Sequence, residues 1–379
     1  MNFLFASDSF KGSLTSEKIS ELLTKSALKT FPDCTTHSVL TADGGEGTLD
    51  AVLAGTGGKK ITISAQDPLG REICACYGKT GENSAIIEMA QASGLPLLKD
   101  NERNPLKTST FGTGELIRAA LDSGAKDITI AIGGSATNDG GMGAMSALGV
   151  KFFDKDGNLL KGAGEDLEKV ADIDITNLHS SAKDAKFTVM CDVNNPLTGE
   201  NGATYIFGAQ KGADCDMQKR LENGMKNYAS VIKEKLGISC ENLSGGGAAG
   251  GLGAALLVFL DAEMKSGIET LLDLINFDEL AKKADVIITG EGRMDGQSVC
   301  GKVASGVGLR AKKAGKPAFA IVGGMGDGAE KIFDCGICSV MPTVNSPMTL
   351  DNAIKNAELL YESAAERLFR IIKASINLK

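Results

Sequence analysis

Five stretches of this chain combine glycine with an acid or a cation at spacings that could do chemistry. They are Asp8-Ser-Phe-Lys11-Gly12, Asp43-Gly-Gly-Glu46-Gly47-Thr48, Gly133-Gly134-Ser135-Ala-Thr137-Asn138-Asp139-Gly140-Gly141, Cys191-Asp192-Val-Asn194-Asn195-Pro196-Leu-Thr-Gly199, and Thr289-Gly290-Glu291-Gly292-Arg293-Met-Asp295-Gly296-Gln297-Ser298. Glycine lets backbone N–H groups approach an anion, and a helix starting just after adds partial positive charge. Aspartate offers Mg²⁺ a hard oxygen ligand, or takes a proton from an alcohol. One such stretch alone reads first as a satisfied turn. Five of them, each charged and each after an apolar run, read together as an anion and metal site.

Standard nucleotide motifs are only approached. Gly296 to Val303 fits GxxxxGK, but Val303 stands where a P-loop needs a hydroxyl for Mg²⁺. Gly245 to Gly250 has GxGxxG spacing without an apolar strand directly before it, so it reads as a glycine-rich turn into the helix Ala254 to Leu260. The chain holds only two histidines, His37 and His179, and neither lies in a Gly/Asp stretch. A Ser-His-Asp triad and a histidine-rich zinc site are thereby disfavoured. The general base falls to a carboxylate, which suits an alcohol attacking a phosphoryl group.

The elements around these stretches have α/β grammar. Phe3 to Ala6 reads as a short strand, followed by a loop and a helix with Thr15 at its start and Ile19, Leu22, Leu23 and Ala27 on its apolar face. A second strand is expected near Thr36 to Leu40. The C-terminal third repeats the pattern, with strands at Val286–Ile288, Ala318–Val322 and Ser339–Met341 and a long amphipathic helix from about Leu350 to Ile372. Strands alternating with helices indicate a parallel sheet, whose ligands lie beyond the carboxyl ends of its strands. The middle carries β segments at Ile61–Ile63, Ile73–Tyr77 and Ala85–Met89, a helix at Glu115–Leu121, and strands at Ile128–Ile132 and Phe187–Met190. We therefore expect two α/β domains. Residues 1–66 and 285–379 form one from both chain ends, and 67–284 form a second inserted into it.

Composition narrows the function further. The 379 residues are 42% apolar with a formal net charge of −8, which disfavours nucleic acid or an anionic membrane as partner. No window reaches the ~18 apolar residues of a membrane span. Nine scattered cysteines and no secretory leader at the N-terminus point to reduced thiols in the cytoplasm. The pair Cys335 and Cys338 lacks a second pair at zinc spacing. A homo-oligomer is compatible with all of this.

The ordered series DSFKGSLTS, ADGGEGT, DPLGRE, GTGELI, GGSATNDGGMG, CDVNNPL, SGGGAAGGLG and TGEGRMDGQSVCGK resembles the bacterial type I glycerate kinase family from about Phe5 to Gly324. The resemblance implies ATP-dependent phosphorylation of D-glycerate, usually at the 2-hydroxyl. It also implies two α/β domains, one Rossmann- or flavodoxin-like, with the site in the cleft between them. Combined with the chemistry above, it makes Asp8 and Asp192 candidates for general base or Mg²⁺ ligand. Lys11 and Arg293 become the cations for carboxylate or phosphates. Asp139 and Asp295 become metal ligands. Asp43, Gly133, Gly134, Ser135, Asn138, Asn194, Gly290, Glu291 and Gly292 become contacts to substrate and nucleotide. The alternatives are a kinase for another small hydroxy acid or sugar acid, and a metabolite-binding module without turnover.

Overall fold

The computed structural model describes residues 1–42, 44–299 and 301–376. Thirteen strands occur among the described residues: β1 (Asn2–Ser7), β2 (Thr35–Ser38), β3 (Lys59–Gln66), β4 (Glu72–Lys79), β5 (Ser84–Glu88), β6 (Asp127–Ala131), β7 (Lys151–Phe153), β8 (Asp172–Asp174), β9 (Lys186–Met190), β10 (Glu263–Lys265), β11 (Val286–Met294), β12 (Ala318–Met325) and β13 (Ile337–Pro342). The fold is α/β and separates into two compact units. The first gathers Met1–Asp43, Asp50–Thr56 and Gly267–Lys379; the second gathers Gly44–Leu49 and Gly57–Ser266.

The first unit holds a five-stranded parallel sheet in the order β13-β12-β11-β1-β2. Counting only this unit's strands along the chain, the order is 2-1-3-4-5, the flavodoxin-like arrangement, with its reversal between β1 and β11. β1 pairs in parallel with β11, Phe3 opposite Val286 and Phe5 opposite Ile288. Phe3, Leu4, Phe5 and Ala6 are all buried, as a strand covered on both faces must be. The helix Ser16–Thr30 is capped by Thr15, whose side chain accepts from the Lys18 N–H, and it turns Ile19, Leu22, Leu23 and Ala27 inward. Phe369 packs edge-on against Phe3 at 5.1 Å between ring centres. The C-terminal helix is not continuous: it divides into Leu350–Lys355 and Ala357–Ile376. At the break the Asn356 side chain donates to the Asn352 carbonyl at 2.8 Å, a local bond that competes with helix geometry.

The second unit holds a six-stranded sheet, β10-β9-β6-β5-β4-β3, parallel from β5 through β10 and antiparallel at β3-β4-β5, with a separate antiparallel pair β7–β8. Its core packs Ile87, Ile128, Ile130, Phe187 and Val189 against Leu116, Ile117, Leu252 and Leu256.

The unit boundaries differ from 66/67 and 284/285. Asp67-Pro-Leu-Gly70 is a hairpin turn rather than a domain junction: the Asp67 carboxylate accepts from the N–H groups of Leu69 and Arg71 and thereby joins β3 to β4. At the other end, Gly267–Leu274 and Phe277–Lys283 are helices of the first unit. Arg310, in the helix Val303–Lys313, holds them there through Glu269, Asp273 and Asp278.

Candidate active site

In the first unit, the carboxyl ends of β1, β11, β12 and β13 open on a pocket of about 660 Å³. Its polar lining includes Asp8, Lys11, Glu291, Arg293 and Lys302. Asp8 and Lys11 come from the loop after β1, Glu291 and Arg293 from the end of β11. These are the two strands that flank the reversal of the sheet, where such folds bind ligands.

The fifth Gly/Asp stretch is not a loop from Thr289, because β11 continues to Met294, pairing Glu291 with Val322 and Arg293 with Gly324 of β12. This extension sets the site geometry. Side chains two apart on a strand share a face, so Glu291 and Arg293 stand side by side. Gly290 lies inside the sheet, and a Cβ there would come within 2.0 Å of the Ile321 carbonyl oxygen. Glycine at this position serves the close approach of β12. The Gly290 carbonyl also accepts from the Asp8 N–H at 2.9 Å, which ties the Asp8 loop to β11.

The Asp8 carboxylate accepts from the Ser9 N–H at 2.7 Å. Glu291 is only 7% exposed, and its Oε1 has no hydrogen-bond partner among the described residues. Burial pushes its carboxyl above the usual range; the Ser298 hydroxyl and Lys302 oppose this, while Asp8 and Asp295 reinforce it. Such a carboxylate suits a cation: an anionic oxygen without a donor, held where water is scarce. Arg293 is 76% exposed along its side chain, with Nε 3.5 Å from Asp295. Asp295 also accepts from the Gln297 N–H and caps the turn after β11; it is not among the pocket-lining residues. Gly292 does line the pocket. Among the described residues, no group of three or more His, Cys, Asp or Glu is set to hold a metal alone. Mg²⁺ in phosphoryl-transfer sites takes one or two carboxylates and completes its shell with phosphate and water.

Lys302 escaped the sequence reading. Its signal was present in the GxxxxGK stretch, set aside because Val303 lacks a hydroxyl. The lysine lies immediately before the helix Val303–Lys313 and reaches the same pocket as Lys11 and Arg293.

The second unit treats its Gly/Asp stretches differently. Ser135, Asn138 and Asp139 follow β6 but are buried. Asp139 accepts from the Thr110 N–H and hydroxyl, both at 2.7 Å, and from the N–H groups of Gly141 and Gly143 at 3.1 and 3.2 Å. Both oxygens of Asp139, expected to bind a metal, are thus engaged by protein donors. Burial drives its carboxyl upward and those four donors pull it back. Fully buried Lys211 donates to the Thr137 carbonyl at 2.6 Å; burial pushes its ammonium down to about 7, opposed by Asp139. Asn138 donates to Thr204. Gly133 gives its N–H to the Gly44 carbonyl at 2.9 Å, and a Cβ there would lie 2.6 Å from the Gly45 Cα. It locks two loops together rather than meeting a phosphate. The Gly134 carbonyl accepts from the Leu95 N–H. Asp192 and Asn194, past the carboxyl end of β9, are exposed, and Asn194 accepts from the Ser244 hydroxyl at 3.1 Å. Asp43 lies outside the described residues.

Comparison with known proteins gives a consistent result. The model of the glycerate kinase family matches residues 3–373. The chain is 46% identical over 358 residues to the glycerate 2-kinase of Escherichia coli K12, covering 94% of each chain. It is 42% identical over 366 residues to a glycerate kinase of Halalkalibacterium halodurans, covering 96% of each. A crystal structure of a Salmonella typhimurium LT2 protein assigned as glycerate kinase 2 matches with a TM-score of 0.87 at 40% identity, over 100% of this chain and 99% of that one.

Proposed function

The chain belongs to the glycerate kinase family, whose members are ATP-dependent phosphotransferases acting on an alcohol, and from that premise we propose that it converts D-glycerate and ATP to 2-phosphoglycerate and ADP. The observation that carries the reading is the pocket at the sheet reversal. Three cations, Lys11, Arg293 and Lys302, meet two carboxylates, Asp8 and Glu291, at one set of strand ends. Phosphoryl transfer asks for this set: positive groups for the phosphates, an oxygen ligand for Mg²⁺ and a base for the alcohol.

In this reading the 2-hydroxyl oxygen of glycerate bonds to the γ-phosphorus as the bond to the ADP oxygen breaks. The hydroxyl proton passes to an aspartate. Asp8 is the leading base because it lines the pocket; Asp192, exposed past β9, is the second. Glu291 is the residue suited to hold Mg²⁺, which when bound neutralises phosphate charge. Lys302 and Lys11 bind phosphate oxygens, and Arg293 binds phosphate or the glycerate carboxylate. A cytoplasmic setting belongs to the same proposal. No disulfide is present among the described residues, and none of the described helices is long and apolar enough to cross a membrane.

The test is ADP release with D-glycerate, L-glycerate and glycerol, and a parallel assay in which enolase consumes the product directly, without phosphoglycerate mutase. D-glycerate should be strongly preferred and the enolase-coupled signal should appear at once. Equal turnover of glycerol would show that no carboxylate is read. A signal that needs added mutase would assign the 3-hydroxyl instead.

A further inference from the structure

The pocket of the first unit is lined both by charged residues from the strand ends and by apolar residues from the segment after β13. Val344, Met348, Leu350 and Ile354, in the segment after β13, all line the pocket. Leu350 is 73% exposed, Ile354 40% and Val344 37%. A ligand that satisfies this lining needs an apolar body and an anionic tail. D-glycerate has three carbons bearing a carboxylate and two hydroxyls, so it offers no apolar surface to four such side chains. The volume points the same way, since about 660 Å³ falls within the ~300–1,000 Å³ range of sites that enclose much larger ligands.

We infer that residues 344–354 form the nucleoside-binding lip of this enzyme. The base and ribose of ATP pack on Leu350, Ile354 and their neighbours, while the phosphates run toward Lys302, Lys11 and Arg293. The inference rests on the proposal that ATP is the phosphoryl donor and adds where its nucleoside is held. It also explains why these apolar side chains stand exposed beside a charged cavity: covering them with a flat apolar ring removes their surface from water.

The test uses the full chain carrying Leu350→Ser and Ile354→Ser together. Serine adds no charge, and both positions are too exposed for the fold to depend on them. Calorimetry measures the Kd of ADP and, separately, of inorganic tripolyphosphate, which has the charges without the nucleoside. The expected result is an ADP Kd raised about tenfold or more, an unchanged tripolyphosphate Kd and an unchanged D-glycerate KM at saturating ATP. Leu350→Met should retain ADP affinity. An unchanged ADP Kd, or an equal loss for tripolyphosphate, overturns the inference. So does a shift in sedimentation at constant ADP affinity, which would make the patch a contact between copies. A parent chain that binds ADP yet makes none from ATP and D-glycerate would defeat the proposed function and leave this inference standing.

Discussion

The loop after β1 in the first unit and the loop after β6 in the second share one grammar, an apolar strand followed by glycine and aspartate, yet they do opposite work. Asp8 lines a pocket together with Lys11 and Glu291. Asp139 is sealed inside its unit and takes four protein hydrogen bonds. The difference lies in what arrives from elsewhere in the chain. Thr110, 29 residues away, supplies Asp139 with two donors, which Gly141 and Gly143 of its own loop complete, and Lys211 is buried against the Thr137 carbonyl. Neighbouring cations supply Asp8 with the setting for a ligand. A glycine–aspartate turn is therefore a position for a charged group, and its distant neighbours decide whether that group meets protein or substrate.

The largest effect should come from emptying the buried side of this comparison. Asp139→Ala leaves four donors without an acceptor and should destabilise the chain by about 3 kcal/mol or more in urea unfolding. Added Mg²⁺ should not restore it; recovery by Mg²⁺ would return Asp139 to the metal site.

On the open side, Lys302→Ala should raise the KM for ATP by about 10–100-fold, the worth of one charge-assisted bond, with little change in stability. A fall in unfolding midpoint with unchanged KM would make Lys302 structural instead. Glu291→Gln removes charge but keeps an oxygen ligand, so half-maximal activity should require roughly tenfold more Mg²⁺. The same Mg²⁺ requirement in parent and variant would rule out the ligand role.

The smallest effect, at most about 1.4 kcal/mol per pH unit, concerns pH. Lys211 has its pKa lowered to about 7 in the folded chain from an ordinary 10.5. Between those values the unfolded chain binds a proton that the folded one does not, so this lysine makes stability rise as pH rises from about 7. Below about 7 both states are protonated and the dependence ends. Lys211→Met should flatten that rise relative to the parent. An identical slope in both would show that Lys211 is charged in the fold.

Much of the fold was legible because it rests on local periodicity. The Ile19, Leu22, Leu23, Ala27 face of the first helix and the unbroken apolar run of β1 both stand as read. The extension of β11 was hidden because Gly290, Glu291, Gly292 and Arg293 have the composition of a turn, and only pairing with β12 makes them a strand. The break at Asn356 was hidden for a related reason: apolar spacing continues through it, and what marks it is a side-chain bond to the Asn352 carbonyl. Within the site, Asp8, Lys11, Glu291, Gly292 and Arg293 were named and line the pocket. The burial of Asp139 and its donors from Thr110 cannot be seen from its own loop. Lys302 was missed because a motif was judged whole, when one of its residues suffices.

The central claim is that accessible strand-end aspartates do the chemistry and the buried one holds the scaffold. It is tested most directly by measuring kcat and unfolding midpoint on the same preparations of Asp8→Asn, Asp192→Asn and Asp139→Asn. The base should reveal itself among the first two as a kcat lowered by about 10²–10⁴-fold at an unchanged midpoint, while Asp139→Asn should lower the midpoint. Full activity in both Asp8→Asn and Asp192→Asn, with kcat lost in a stably folded Asp139→Asn, would contradict the account.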